Sequence, residues 1–79
     1  MAKKRYWYFK SKVGTFIIKP HGNNSYGLWI NDDLLGNYPS PVAAADDVYV
    51  QVTGCYEWDS LKDGDSSAPT DIYEWEQSG

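Results

Sequence analysis

Acidic residues with metal-ligand spacing lie near the C-terminal end of the sequence. In the run DGDSSAPTDIYE, residues 63–74, oxygen-bearing side chains occupy positions one, three, five, nine and twelve of a calcium-binding loop: Asp63, Asp65, Ser67, Asp71 and Glu74. Position six of such a loop is glycine because the chain turns sharply there, whereas this chain has Ala68, followed by Pro69. The run is therefore interpreted as an acidic loop, and no metal or cofactor is expected.

A second acidic group is the pair Asp46 and Asp47, which falls inside a predicted helix. Neighbouring helical residues point about 100° apart, so the two carboxylates cannot converge on one ion. They are expected to lie on a solvated helix face and to form part of an acidic binding surface.

Nucleophile and base types also occur, as His21, Cys55 and Ser60. Nucleophilic catalysis needs a nucleophile, a base and an orienting group in mutual reach, and these three follow no recognisable triad order. No catalytic residue is predicted, and the protein is expected not to be an enzyme.

A third group combines aromatic and basic side chains. Alternation along the predicted strands puts Tyr6, Tyr8 and Trp29 on one face of a sheet, with Lys10 and Lys19 nearby. Such a face could stack unpaired bases. The alternative, which we favour from the sequence, is that the aromatic C-terminal segment covers this face as a second core.

The elements that would position these residues are strands followed by one helix. Strands are predicted over residues 5–10, 15–19, 26–31 and 34–38, with short connections typical of an antiparallel meander. The opposite face of the sheet is then apolar, and we expect it to pack on the helix through Trp7, Phe9, Phe16, Ile18, Leu28 and Ile30.

The helix is predicted over residues 41–53. Ser40 is suited to the N-cap and Pro41 to the first helical position, and Gly54 can adopt the left-handed conformation that closes a helix. The apolar residues expected to face the sheet are Val42, Ala45, Val48, Tyr49 and Val52.

These elements predict an α+β fold in a single small domain, residues 1–79. It comprises an antiparallel three- or four-stranded sheet packed against one helix, and an irregular aromatic C-terminal segment, residues 55–76. That segment is too apolar for a free tail because it contains Trp58, Ile72, Tyr73 and Trp75.

Composition limits the cellular setting. The 79 residues include a single cysteine, Cys55, which excludes an internal disulfide and favours a reducing compartment. The basic N-terminus is not followed by the apolar run of a signal peptide, and no stretch is long enough for a membrane span. A cytoplasmic protein without membrane contact is expected.

Charge is divided between the two halves of the chain. Residues 1–31 carry six basic residues and no acid, and residues 32–79 carry all eleven acids and one lysine, for a net charge of −4. Such asymmetry indicates a polar partner, or two halves that cover each other.

Two resemblances accompany these patterns. The runs LGNYPSPVAAADDVY, TGCYEWDSL and PTDIYEW resemble a group of short hypothetical proteins from bacteria, which carry no assigned activity. The order of three strands, a Leu-Gly-x-aromatic strand end and an alanine-rich helix is similar to the plant ethylene-response-factor DNA-binding domain. That domain reads DNA with Arg and Trp on its sheet, whereas Arg5 is the only arginine here.

The sequence therefore predicts a small non-enzymatic binding module, bacterial and cytoplasmic. Its expected partner is another protein with a basic surface, bound through the acidic surface, as in an inhibitor that mimics nucleic acid with carboxylates. The alternative is single-stranded nucleic-acid binding through the aromatic and basic sheet face.

Overall fold

The computed structural model describes residues 6–61, 68–69 and 71–78. Four strands follow one another along the chain: β1 (Tyr6–Ser11), β2 (Gly14–Pro20), β3 (Tyr26–Ile30) and β4 (Asp33–Tyr38). Two helices come next, α1 (Pro41–Tyr49) and the short α2 (Tyr56–Asp59), and the described chain ends with a 3₁₀ turn (Ile72–Glu74) and β5 (Glu76–Ser78). The predicted α+β fold with an antiparallel sheet and one main helix is confirmed.

The sheet has five strands in the order β4-β3-β2-β1-β5, and all pairs are antiparallel. The first four strands form the predicted meander, because each pairs with its neighbour in sequence. The fifth strand is additional to the predicted three or four, and it pairs Glu76 with Tyr8 and Gln77 with Trp7. Its three residues are polar, so its place in the sheet depends on backbone pairing rather than on an apolar pattern.

One face of the sheet, here called the inner face, packs against α1. The core contains the buried side chains Trp7, Phe16, Ile18, Leu28 and Ile30 of this face, with Phe9 packed against them. The strand alternation predicted from the sequence is therefore confirmed. The sheet's other side is the outer face.

Helix α1 begins as predicted and ends four residues early. The Ser40 hydroxyl accepts a hydrogen bond from the Ala43 N–H at 3.2 Å, and Pro41 occupies the first turn. Gln51 takes a positive φ of 61°, and its side-chain amide donates to the carbonyls of Trp58 and Leu61 at 2.8 Å each. The chain therefore leaves the helix at Val50, and Gly54 does not close it as predicted.

The face of α1 that packs on the sheet agrees with the prediction only at Ala45 and Val48. Its buried residues are Ala44, Ala45 and Val48, whereas Val42, Tyr49 and Val52 are exposed. Small alanine side chains let the helix approach the sheet closely, and the large buried ring of Trp58 fills the remaining volume of the core.

Candidate functional site on the outer sheet face

The described part of the C-terminal segment packs on the helix side of the sheet, and within the described residues the outer face is left open. The indole of Trp75 is buried and lies 5.6 Å from the ring of Phe9, an inner-face residue, and Ile72 is buried in the same core. The prediction that the aromatic residues 73–75 cover the outer face is therefore wrong. Tyr73 does not anchor it either, because its side chain is 83% exposed.

The open face carries a row of side chains that crosses all five strands. Directly paired residues of an antiparallel sheet share a face. The register therefore aligns, from one edge to the other, Glu76, Tyr8, Ile17, Trp29 and Leu34. Neighbouring strands lie about 4.8 Å apart, so the backbones at Tyr8 and Trp29 are separated by about 10 Å. The rings of Tyr8 and Trp29 therefore offer two separate contact surfaces on the outer face.

Basic side chains and a further ring lie beside this row. Lys10 and Tyr6 are two residues from Tyr8 on the same strand, and Tyr6 is 42% exposed. Lys19 pairs with Gly27 in the next row. The five sheet residues predicted to bind a ligand, Tyr6, Tyr8, Lys10, Lys19 and Trp29, are therefore on one face.

The Trp29 indole lies flat against the sheet because Gly27, beneath it, has no side chain. A Cβ atom at Gly27 would come within 2.8 Å of Trp29 Nε1, and within 3.2 Å of His21 Cβ and Leu34 Cδ1. Since a real Cβ does not tolerate such an approach, only glycine lets the indole lie across β3. The indole ring thereby lies along the sheet instead of projecting from it.

The environment of the Trp29 indole is cationic on one side and aromatic at its edge. Lys19 Nζ lies 4.9 Å from the ring centroid, within the range of a cation–π interaction. The His21 ring meets the indole edge-on, with centroids 5.5 Å apart. Trp29 Nε1 is buried and, in the described part of the chain, has no hydrogen-bond acceptor.

The structure gives His21, whose residue type could serve as a base, an aromatic neighbour. It lies in the β2–β3 loop beside Trp29, whereas Cys55 and Ser60 cap the two ends of α2. Gly27 and Leu34 were missed by sequence reasoning. A glycine inside an apolar strand is a known sign of close approach by another group, and that signal could have identified Gly27.

The two acidic residues predicted as site residues, Asp46 and Asp47, lie on α1 and not on the outer face, and their environments differ. Asp46 is exposed on α1. Asp47 accepts a hydrogen bond from the Tyr38 hydroxyl at 2.8 Å. Burial, together with this hydrogen bond and the charges of Asp47 and Asp59, raises the pKa of Tyr38 to about 12. The Asp47 carboxylate is therefore already hydrogen-bonded within the fold.

Half of the calcium-like run, including Asp63, Asp65 and Ser67, lies outside the described residues. Asp71 caps the 3₁₀ turn by accepting from the Tyr73 N–H at 2.8 Å. Within the described ranges, no three His, Cys, Asp or Glu side chains are grouped so that they could hold a metal ion.

Two further features concern the described residues as a whole. The described residues enclose no pocket, so any ligand of the outer face binds to an open surface. Across residues 6–61, 68–69 and 71–78, each helix is too short or too polar to cross a membrane.

The chain was compared with protein-family models, with curated proteins and with solved structures, and no match was found in any of the three comparisons. The two resemblances drawn from the sequence stay predictions. The function is therefore inferred from the geometry of the outer face.

Proposed function

We propose that the protein is a non-enzymatic module that binds single-stranded nucleic acid on its outer sheet face. The observation that carries this proposal is the flat indole of Trp29 over Gly27, in one row with Tyr8 and beside Lys19. A ring that lies along an open sheet accepts a base on its free side, and every base has a π-face to offer.

Lys19 has two partners in this scheme. In the free protein its ammonium group lies over Trp29, an interaction worth about 0.5–1 kcal/mol at an exposed site. A stacked base is worth about 1–3 kcal/mol, so it displaces the ammonium group. The released Lys19 then pairs with a phosphate of the same strand, and Lys10 provides a second phosphate contact.

The net charge of −4 opposes nucleic acid in general, but the charges are segregated. All the described lysines, Lys10, Lys12 and Lys19, belong to β1, β2 and the turn between them. The acids of α1 and α2 lie behind the other side of the sheet. Charges separated by more than about 8 Å are largely screened at physiological ionic strength. The outer face carries Lys10 and Lys19, with the acid Glu76 at its β5 edge, so it attracts phosphate beside the two lysines.

The carboxylates by themselves give weaker support for the acidic-surface interaction, which was favoured from the sequence, than the outer face gives for nucleic-acid binding. Asp47 is hydrogen-bonded to Tyr38, and Asp59 accepts hydrogen bonds from the backbone N–H groups of Thr53 and Gly54. These carboxylates stabilise the fold.

The proposal is tested by fluorescence anisotropy with a labelled twelve-nucleotide oligothymidylate. Affinity is expected to fall with salt, and two phosphate contacts give a slope of about −1.4 in a plot of log K against log salt concentration. Trp29→Ala is expected to weaken binding about 5- to 150-fold, which corresponds to a lost stack of about 1–3 kcal/mol.

The matched control is Tyr73→Ala, which removes an exposed ring on the helix side and is expected to bind as the wild type does. Lys19→Ala is expected to reduce the salt slope to about −0.7. Retention of wild-type affinity by Trp29→Ala would contradict the proposal.

A further inference from the structure

Helix α1 exposes side chains of the type that normally form a core. Val42, Tyr49 and the following Val50 are 57%, 46% and 52% exposed, respectively. An amphipathic helix of a globular domain ordinarily turns polar residues to solvent. Here the positions that face away from the sheet are mostly apolar, because the packing side of the helix is built from Ala44, Ala45 and Val48.

The apolar residues form one stripe with an acid inside it. Positions 42, 46 and 49 follow the i, i+4, i+7 spacing of a single helix face, and Val50 adjoins them. We call Val42, Asp46, Tyr49 and Val50 the α1 solvent face. Asp46 is exposed at its centre, and residues 41–61 contain no lysine or arginine.

We propose that the α1 solvent face binds a protein partner through an amphipathic helix whose apolar stripe is flanked by Lys or Arg. Charge complementarity with Asp46 selects a basic partner and excludes an acidic one. A straight stripe on a nine-residue helix is matched by the ridges and grooves of another helix. Symmetric pairing with a second copy would bring two Asp46 carboxylates together, which opposes that arrangement.

The α1 solvent face is separate from the outer sheet face, so an experiment can contradict one proposal without contradicting the other. The probe is a fourteen-residue helical peptide of Leu and Lys with its leucines on one side, titrated into the ¹⁵N-labelled full chain. The expected shifts are in the amide resonances of residues 42–50, with the sheet resonances unchanged. A peptide with Glu in place of Lys is expected to bind at least tenfold more weakly.

Two variants locate the contact. The double variant Val42→Ser/Tyr49→Ser is expected to weaken peptide binding at least tenfold, whereas Tyr56→Ser, which removes an exposed ring of α2, is expected to leave it unchanged. Asp46→Asn keeps the apolar stripe and is expected to weaken binding several-fold, with a smaller salt dependence. It also serves as the test if the double variant does not fold.

Three results would overturn the inference. The first is equal affinity for the Lys and Glu peptides. The second is a set of peptide shifts confined to the sheet. The third is a dimeric protein that becomes monomeric on Val50→Ser, because a second copy of the chain would then be the occupant of this face.

Discussion

The rings of Phe9 and Trp75 lie 5.6 Å apart on the inner side of the sheet. This contact fixes the last described segment of the chain beside the helix, and it brings β5 into register with β1 at the sheet edge. Because of the same contact, residues 71–78 do not cover the outer face with Tyr8 and Trp29.

The first prediction concerns this contact. Trp75→Ala is expected to lower the free energy of unfolding by about 3–5 kcal/mol, because it empties a large site in the core. Tyr73→Ala, two residues away and 83% exposed, is expected to change it by less than about 0.5 kcal/mol. Urea unfolding of the two variants measures both values. Equal unfolding midpoints would show that the C-terminal segment does not support the fold.

The sequence predicted the faces of the strands and the start of α1 correctly, but it predicted the packing face of α1 only in part, for a physical reason. Period-two alternation assigned Phe16, Ile18, Leu28 and Ile30 to the correct face because every second residue of a strand shares a side. In α1, by contrast, valines and alanines surround the helix, so periodicity alone did not decide which side would pack. The small side of the helix, with Ala44, packs on the sheet.

The candidate site was predicted in part. Its rings and lysines were assigned to one face by alternation, but alternation cannot tell whether a face is covered. That depends on where residues 71–78 return, which is decided by tertiary contacts such as Phe9–Trp75. Glu76–Ser78 lacks an apolar pattern, so its pairing with β1 was likewise not predictable.

The second prediction concerns pH. Burial and the hydrogen bond to Asp47 raise the pKa of Tyr38 to about 12, whereas an unfolded tyrosine titrates near a pKa of about 10. Between these values the folded state keeps a proton that the unfolded state has lost. The free energy of unfolding therefore falls as pH rises through this range.

Tyr38→Phe removes this proton and is expected to flatten the decline. Urea unfolding at pH 9, 10 and 11 compares the variant with the wild type, and Tyr73→Phe serves as the control. If the Tyr38→Phe and wild-type profiles run parallel between pH 10 and pH 11, Tyr38 does not have the raised pKa.

The third prediction concerns the glycine beneath Trp29. Gly27→Ala places a Cβ within 2.8 Å of Trp29 Nε1, so the indole must leave its flat position. The free energy of unfolding is expected to fall by about 1–3 kcal/mol from overpacking, and oligothymidylate binding is expected to weaken. Gly36→Ala is the control, because a Cβ there meets no atom closer than 3.6 Å. Unchanged binding by folded Gly27→Ala would mean that the flat indole is not required.

The fourth prediction concerns the one described acid in the row that crosses the outer face. Glu76 pairs with Tyr8 at the β5 edge, where its carboxylate repels phosphate. Glu76→Gln is expected to raise oligothymidylate affinity several-fold at low salt, with little effect at high salt. Glu57→Gln, a change on α2, is expected to leave affinity unchanged. Equal effects of the two substitutions would indicate that only net charge matters.

The most direct test of nucleic-acid binding on the outer face is an NMR titration of the four indole N–H resonances with oligothymidylate. Trp7, Trp58 and Trp75 are buried in the core, and Trp29 alone lies on the outer face. We expect a large shift of the Trp29 indole resonance, with the other three nearly unchanged. A titration in which the Trp29 resonance does not move, under conditions where anisotropy reports saturated binding, would contradict the claim that the outer sheet face binds nucleic acid.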